Sequence, residues 1–473
     1  MVEKNEEFIV TIEAMGSDGE GIGRIDGYAL FVKDAVVGDK VRVKVMKAKK
    51  NYAFARLIEI IVPSEDRITP PCKIARQCGG CQVQHLKYEK QLEYKHDKVK
   101  SCLERIGGFH VEEVEEGFEA FSCLPQEKGK KTIAMEPVIG MEEPFYYRNK
   151  TQFPVGVNKE GKAVTGFYAA RTHSIIETEE CFIQAKVNDE LLAIVRRFID
   201  EFAITTYNEE THSGLVRHIL TRVGYTTKEI MVCIILNGTK LPHADVLIER
   251  LRAVEGMTSI CININREKTN VILGKQCETL WGQSYITDYI GDVKFQISPL
   301  SFYQVNPIQT ERLYGQALAY AALSGDEVVW DMYCGIGTIS LFLAKKAKAV
   351  YGVEIVPQAI EDAKINAKIN GITNAKFYVG AAEEVAPRLY KEEGIKADVV
   401  MVDPPRKGCD QTLLDTIVSM EAKRVVYVSC DTATLARDIK YLAEHGYEVK
   451  KARAVDMFPN SVHVESVAVL ERI

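Results

Sequence analysis

From residue 305 onward the sequence alternates short β-branched runs with helical stretches, and no other feature constrains the fold as strongly. The runs VVWDM, AVYGVEI, AKFYVG, DVVMVD and RVVYVSC have the length and composition of buried strands. Helical patterns such as QAIEDAKINAKING and TLARDIKYLAEHG separate them. This alternation predicts an α/β fold with a doubly wound, Rossmann-like parallel sheet, whose ligands bind beyond the carboxyl ends of the strands.

Two regions with other patterns precede the alternating part. Residues 1–61 carry runs of alternating apolar and polar residues with glycines between them, which predicts a small closed β-barrel. Residues 62–300 mix strand-like and helical stretches and predict an α+β domain. This domain includes a helix expected over 84–106, which could pack on the last domain, and an aperiodic loop over 110–132. Residues 301–473 then form the α/β domain.

The overall charge does not indicate a nucleic-acid-binding protein, because the formal net charge is −6. One stretch differs: Lys40–Arg56 carries seven basic residues and no acidic one, interleaved with Tyr52 and Phe54. Alone it could be a solvated strand face. The first ten residues lack the apolar core of a signal peptide, and no apolar run is long enough to span a bilayer. We therefore expect a cytoplasmic protein without a membrane partner.

The loop after the first strand of the α/β part is typical of a nucleoside-cofactor site. In DMYCGIGT, Gly335 and Gly337 allow the backbone to approach a ligand, and a helix begins at Thr338 with free amide donors. The complete dinucleotide spacing is absent, which disfavours a dinucleotide. Glu354 ends the next strand-like run, where an acidic residue can accept both ribose hydroxyls of an adenosine.

Asp403 follows a strand-like run in DPPRKG, where two prolines make the loop rigid. In amino-group methyltransferases an aromatic residue usually follows the two prolines and stacks on the base. Arg406 takes its place here, which favours a carbon atom as the methyl acceptor.

Cys430 ends the fifth run and precedes a helix, whose amide donors are expected to stabilise a thiolate. A thiolate that attacks C6 of uracil places electron density on C5, which can then accept a methyl group. A base must next remove the C5 proton. Glu465 in VHVESVAVL is the candidate base, and His463 is the alternative.

The motifs SFYQVN, DMYCGIGT, DPPRKG, YVSCD and HVESV follow one another in this order. Together they resemble the successive motifs of the bacterial RNA uracil-5-methyltransferases, and in particular the branch that acts on 23S ribosomal RNA. The resemblance implies an S-adenosylmethionine-dependent enzyme with Cys430 as nucleophile and Glu465 as base. It assigns the cofactor site to four residues, two of which (Gln304 and Asp403) could also contact the uracil: Gln304, Tyr333, Glu354 and Asp403.

The N-terminal barrel resembles a TRAM domain, an oligonucleotide-binding-type module, which implies that Lys40–Arg56 contacts RNA phosphates. Cysteine spacing adds a metal site: Cys72, Cys78 and Cys81 form C-x5-C-x2-C, with Cys181 far along the chain. Spacing alone leaves zinc and an iron–sulfur cluster open. The resemblance to the ribosomal RNA branch implies a 4Fe–4S cluster on these four cysteines, with a structural or RNA-positioning role.

Three other functions are compatible with parts of the pattern. A tRNA uracil-5-methyltransferase would share the catalytic half, although such enzymes are expected to lack the barrel and the cluster. An RNA cytosine-5-methyltransferase would need a cysteine directly after the two prolines, and Cys409 is displaced from that position. A catalytically silent RNA-binding factor would not need both Cys430 and Glu465. The expected partner is 23S ribosomal RNA, free or before assembly, with no obligate protein partner and one or two uridines modified.

Overall fold

A computed structural model describes residues 2–121, 124, 129–169 and 172–473 of the chain. Within these ranges, no helix combines the length and apolarity needed to cross a bilayer. The chain divides into two compact units. The first unit is made of Met1–Lys98, Phe167–Ile176 and Phe458–His463, and the second of Val99–Gly166, Glu177–Met457 and Val464–Ile473.

The described ranges contain the following strands: β1 (Glu7–Met15), β2 (Gly21–Ile25), β3 (Tyr28–Val32), β4 (Lys40–Ala48), β5 (Tyr52–Val62), β6 (His110–Glu113), β7 (Thr132–Ile139), β8 (Lys150–Val157), β9 (Ala163–Tyr168), β10 (Ile175–Glu177), β11 (Val216–Val223), β12 (Ile230–Leu236), β13 (Met257–Ile264), β14 (Gln276–Gly282), β15 (Ile286–Ile290), β16 (Val293–Ile297), β17 (Val328–Asp331), β18 (Ala349–Glu354), β19 (Ala375–Val379), β20 (Val399–Val402), β21 (Arg424–Ser429), β22 (Tyr447–Val455) and β23 (Glu465–Arg472). The α-helices of the same ranges are α1 (Tyr88–Cys102), α2 (Val187–Glu201), α3 (Ala244–Arg252), α4 (Pro307–Ala321), α5 (Thr338–Ala344), α6 (Pro357–Ile369), α7 (Ala382–Glu393), α8 (Gln411–Met420) and α9 (Thr432–Glu444).

The first unit contains a closed barrel with strand order β1-β2-β3-β5-β4. Alternation along β4 explains its core, because Val41, Val43 and Val45 are fully buried while Lys40 and Arg42 are exposed on the outer face. This confirms the small barrel predicted from the period-two pattern.

The middle of the chain forms a mixed sheet with the order β10-β9-β8-β11-β12-β13-β14. Its interior strand β12 reads IMVCIIL and is buried along its whole length, as expected for a strand covered on both faces. Strand β14, at one edge of this sheet, is mostly exposed.

The last part of the chain forms a nine-stranded sheet with the order β19-β18-β17-β20-β21-β23-β22-β7-β6. The strands from β19 to β21 are parallel, and β23 pairs antiparallel with β21. The predicted doubly wound, Rossmann-like sheet is thereby confirmed. Two strands come from far earlier in the chain: β6 pairs in parallel with β7, which pairs in parallel with β22.

In the segment before β7, the structure differs from two predictions made from the sequence. Residues 110–113 form the edge strand β6 instead of loop, because four residues are too short to show a period in the sequence; residues 122–123 and 125–128 of that predicted loop lie outside the described part. The helix expected over 84–106 begins later, at Tyr88, and after Cys102 continues as a π-helical turn to Gly107. Val99 and Leu103 of this end pack into the core of the nine-stranded sheet's unit.

Candidate active site

Four neighbouring parallel strands of the nine-stranded sheet end beside one another. The strand order reverses between the paired strands β17 and β20, which is where ligands bind in open α/β sheets. The residues at or just after these carboxyl ends are Tyr333 (β17), Glu354 (β18), Asp403 (β20) and Cys430 (β21). The fold therefore brings four of the predicted site residues to one edge.

The loop after β17 forms a cradle with open space and acceptor oxygens. Gly335 and Gly337 have φ of 53° and 85°, and a Cβ added at Gly335 would meet nothing within 4 Å. Glu354 accepts hydrogen bonds from the amides of Gly335 (3.3 Å) and Val356 (2.9 Å). Asp331 accepts from the Ser340 hydroxyl through one oxygen, and its buried Oδ1 has no partner within the described part of the chain. These acceptors fit a ligand that carries hydroxyl and ammonium donors, as S-adenosylmethionine does.

Gln304 lies in the buried segment between β16 and α4. Its backbone is held by Asn149, whose Nδ2 donates to the Gln304 carbonyl (3.0 Å) and whose amide donates to the Val305 carbonyl (2.8 Å). Asn306 caps α4 by accepting from the amide of Gln309 (3.3 Å). The segment is thus fixed on both sides of Gln304.

Three carboxyl groups at the site have raised pKa values. Burial raises the pKa of Glu465 to about 8, with a further contribution from the charge of Asp403, while Arg406 acts in the opposite direction. Desolvation and the neighbouring Asp331 raise the pKa of Asp403 to about 7. The pKa of Asp331 is itself raised to about 6 by burial. Such a group of acids can hold and exchange protons near neutral pH.

Cys430 and Glu465 are brought together by strand pairing. Ser429 pairs with Ser466 across β21 and β23, so Cys430 and Glu465 stand at the next opposed positions. Desolvation raises the pKa of Cys430 to about 11, followed by the charges of Glu465 and Asp403, while Arg406 lowers it.

The expected stabilisation of a Cys430 thiolate by the start of helix α9 is therefore wrong. The amides of Ala433 and Thr434 donate to the carboxylate of Asp431, each at 3.0 Å. Because Asp431 already caps the helix, those donors are not directed at the sulfur.

His463, the alternative base, belongs to the first unit, in the segment Phe458–His463. Its ring centroid lies 6.2 Å from that of Phe458. Glu465 belongs to the second unit, together with Cys430 and Asp403.

The cysteines of the predicted metal site are divided between the units: Cys72, Cys78 and Cys81 lie in the first and Cys181 in the second. All four are half-buried. The Gly80 amide donates to the sulfur of Cys78 (3.3 Å), and Gln84 Nε2 lies 3.9 Å from the sulfur of Cys81. Across the described ranges, no three thiol, imidazole or carboxyl groups gather closely enough to hold a metal ion.

The basic stretch Lys40–Arg56 forms part of β4 and β5 on the barrel. Two of its charges are already paired, since Arg42 contacts Glu59 (2.5 Å) and Lys44 contacts Glu7 (3.8 Å). The basic residues without such an ion pair among the described residues are Lys40, Lys47, Lys49, Lys50 and Arg56. Tyr52 packs edge-on against Phe54, with ring centroids 5.6 Å apart.

Two residues of the site did not receive a role from the sequence. The charge of Arg406 lowers the pKa of both Cys430 and Glu465. Its position directly after the two prolines could have identified it as a site residue from the sequence. Asn149 holds the Gln304 backbone from a distant part of the chain, and no local pattern marks it.

Family models and full-length relatives match this chain. A model of the tRNA (uracil-5-)-methyltransferase family matches residues 291–473, and a TRAM domain model matches residues 2–58. An uncharacterized RNA methyltransferase of Clostridium tetani is 49% identical over 470 residues, covering 99% of this chain and 97% of that protein. Another, from Clostridium acetobutylicum, is 50% identical over 473 residues, covering 100% and 98%.

One solved structure resembles the chain over almost its whole length. It is the Pyrococcus abyssi tRNA (uracil-54, C5)-methyltransferase in complex with S-adenosyl-L-homocysteine, which is 29% identical, with a TM-score of 0.76. The similarity covers 98% of this chain and 100% of that one. Because this similarity includes the residues of the barrel, the presence of a barrel does not distinguish ribosomal RNA enzymes from transfer RNA enzymes. This contradicts the expectation that transfer RNA enzymes lack the barrel.

Proposed function

Since the chain belongs to the RNA uracil-5-methyltransferase family, we propose that it methylates C5 of one or two uridines in 23S ribosomal RNA, in the cytoplasm, through a covalent bond between Cys430 and C6 of uracil. The matching family model and the full-length RNA methyltransferase relatives support RNA methylation. The solved relative with bound S-adenosyl-L-homocysteine supports S-adenosylmethionine as the cofactor.

The observation that carries the covalent mechanism is the placement of a thiol opposite a carboxyl group. Cys430 and Glu465 adjoin the Ser429–Ser466 pair, and the charges of Glu465 and Asp403 both act on the Cys430 thiol. A nucleophile that adds to C6 and a base that removes the C5 proton must both reach one pyrimidine ring, and the opposed positions of these residues support that arrangement.

The reaction assigned to these residues begins at Cys430. Its thiol proton passes to the carboxylate of Asp403, whose charge acts on the sulfur together with that of Glu465. The sulfur bonds to C6, the C5–C6 π bond opens, and C5 becomes nucleophilic. The bound cofactor supplies an electrophilic methyl group. Glu465, as a carboxylate, then removes the C5 proton, the double bond re-forms, and the sulfur–C6 bond breaks. A carboxylate with a pKa near 8 is a stronger base than an ordinary glutamate.

RNA that contains 5-fluorouridine tests the proposal. Fluorine at C5 cannot leave as a proton, so the methylated adduct should remain bound to the protein. We expect an adduct that survives denaturation and maps to Cys430 by peptide mass spectrometry. Cys430→Ala should form no adduct and no 5-methyluridine, and an active C430A enzyme would refute the mechanism.

Cys409→Ala is the matched control, because Cys409 is the other cysteine near the DPPRKG motif. Cys409 is buried, and its pKa is raised to about 12, chiefly by desolvation. We expect C409A to keep uracil methylation. Product analysis should detect 5-methyluridine and no 5-methylcytidine, whereas 5-methylcytidine that depends on Cys409 would favour the cytosine-5 alternative.

Transfer RNA is the second candidate substrate, and the solved tRNA enzyme with a TM-score of 0.76 favours it. A strain that lacks this protein distinguishes the two substrates. Loss of 5-methyluridine from 23S RNA would support ribosomal RNA as the substrate, and loss confined to tRNA would identify tRNA as the substrate instead.

We further propose a 4Fe–4S cluster on Cys72, Cys78, Cys81 and Cys181. The cysteine spacing and the N–H donor directed at the Cys78 sulfur support a thiolate metal site, and the resemblance to the ribosomal RNA branch favours a 4Fe–4S cluster over zinc. No mechanistic step depends on this cluster. Anaerobically purified protein should be brown and contain equal iron and sulfide, both of which fall in Cys78→Ser; a zinc-containing colourless protein would select the zinc alternative.

A further inference from the structure

The central sheet carries a group of cations without counter-charges. Lys150 on β8 pairs with Arg222 on β11, so the two side chains lie next to each other on one face of the sheet. Arg148 precedes Lys150 by two residues. Lys150 and Arg148 are half-buried, and Arg222 is 2% exposed.

No acid neutralises this group within the described ranges. Burial lowers the pKa of Lys150 to about 7, with smaller contributions from the charges of Arg222 and Arg148. Arg222 donates to the carbonyls of Pro299 (3.5 Å) and Ser301, while its buried Nε has no partner among the described residues. Carbonyl oxygens satisfy part of the Arg222 guanidinium but do not neutralise it, and a buried group of basic side chains without a counter-charge is costly, which points to an anion at this site.

The cations border the motif that contains Gln304. Arg222 holds the carbonyl of Ser301, three residues before Gln304, and Asn149, between Arg148 and Lys150, holds the carbonyl of Gln304 itself. An anion bound here would lie next to the candidate uracil and cofactor site.

We propose that Arg148 and Lys150, with the buried Arg222 beneath them, form a binding site for RNA backbone phosphate next to the target uridine, an inference that rests on the proposed function. RNA carries one negative charge per nucleotide, whereas uracil is neutral, so these basic side chains suit the phosphodiester and not the base. S-adenosylmethionine carries a carboxylate, and cofactor binding by the same variants distinguishes that anion from RNA phosphate. The Arg148 guanidinium and the Lys150 ammonium supply donors for phosphate oxygens.

The test is the salt dependence of RNA binding. Each phosphate contact removed should lower the slope of log Kd against log salt by about 0.7 for single-stranded RNA. We expect Lys150→Gln and Arg148→Gln each to lower the slope by about that amount and to weaken RNA binding about tenfold at low salt. Lys150→Arg should restore both. The probe is an unmodified 23S ribosomal RNA transcript, compared with a uridine oligonucleotide.

Lys162→Gln is the matched control, because Lys162 is an exposed lysine at the turn that follows the same strand. It should leave the slope unchanged. Binding of S-adenosylmethionine and the melting temperature should stay at wild-type values in all variants, which excludes misfolding. Wild-type slopes in both K150Q and R148Q would overturn the phosphate site, as would an equal loss of cofactor binding. Methylation is measured separately, so failure of the proposed reaction would leave the binding result interpretable.

Discussion

Cys430 and Glu465 stand at the adjoining ends of β21 and β23, one position beyond the paired residues Ser429 and Ser466. The antiparallel pairing of β21 with β23, inside the nine-stranded sheet, brings these two residues together from distant parts of the last domain. The pairing places a thiol opposite a buried carboxyl group, whose charge raises the cost of ionising the thiol. The reactivity of Cys430 should therefore depend on Glu465.

Glu465→Gln should block release of the RNA product after methyl transfer. The amide cannot remove the C5 proton, and loss of a general base lowers the rate by about 10²- to 10⁴-fold. We expect a covalent complex of the protein with ordinary RNA to accumulate and to be visible by denaturing electrophoresis.

Glu471→Gln provides the comparison for this experiment. Glu471 lies on the same strand, at its exposed end, and pairs with Arg424 (2.6 Å). E471Q should turn over normally and accumulate no complex. Normal turnover by E465Q would show that another group removes the proton.

Alkylation of the cysteines should follow their acidities. Desolvation raises the pKa of Cys430 to about 11, whereas a hydrogen bond from Cys233 is the main cause that lowers the pKa of Cys277 to about 7. Because the thiolate is the reactive form, exposed Cys277 should react with iodoacetamide well before Cys430 at pH 7.

The rate at Cys430 should rise with pH between pH 7 and 9 as the thiolate fraction rises, but by less than about tenfold per pH unit, because Glu465 ionises in the same range and its charge opposes the thiolate. Above pH 8, where Glu465 is ionised, Glu465→Gln removes a negative charge and should accelerate alkylation of Cys430 without changing that of Cys277. Peptide mass spectrometry over time measures both rates. Faster modification of Cys430 than of Cys277 in the free enzyme would contradict the description of the site.

The sequence predicted the elements that repeat or alternate, and the site residues that lie at their ends. The parallel strands from β17 to β21 are short buried runs, so their carboxyl ends could be located, and with them Glu354, Asp403 and Cys430. The barrel was predictable for the same reason, because Val41, Val43 and Val45 alternate with polar residues.

The sequence could not show features that depend on contacts between distant parts of the chain. Strand β6 is four residues long, and it joins the sheet through β7, whose partner β22 lies more than three hundred residues later. The acidity of Cys430 likewise depends on carboxyl groups on β23 and after β20, and on the Asp431 side chain that occupies the helix amides. Local sequence showed a helix start beside a cysteine, but not that its donors were already taken.

The barrel contains a buried ion pair whose disruption should loosen the first unit. Asp39 is fully buried. It accepts hydrogen bonds from the amides of Val36 (2.7 Å) and Ser64 (2.8 Å) and from the Arg67 guanidinium. Although desolvation raises it, these hydrogen bonds hold the pKa of Asp39 below its ordinary value.

Arg67→Ala would leave a buried carboxylate without its cation, at a cost of about 3–5 kcal/mol. Arg24→Ala removes an exposed pair with Glu13, in which both side chains are 52% exposed, and should cost less than about 1 kcal/mol. Native-state hydrogen exchange of the β1–β5 amides measures both. Similar exchange in the two variants would show that burial does not govern the contribution of these pairs.

The raised pKa of Glu465 makes stability depend on pH in a defined direction. Its pKa is about 8 in the folded chain and near its ordinary value of 4.5 when unfolded, so folding takes up a proton between these values. The stability that the protonated group contributes is complete below pH 4.5 and is lost as the pH rises through 8. The side chain at position 465 does not titrate in Glu465→Gln, so the stability advantage of this variant over the wild type should grow from pH 5 to pH 8. Each kcal/mol of that advantage should raise Tm by about 2–4 °C. Thermal melts of the wild type, E465Q and E471Q at several pH values measure this difference. A constant difference between E465Q and the wild type across this range would show that Glu465 is ionised in the folded protein, and would remove the reason to regard it as a strong base.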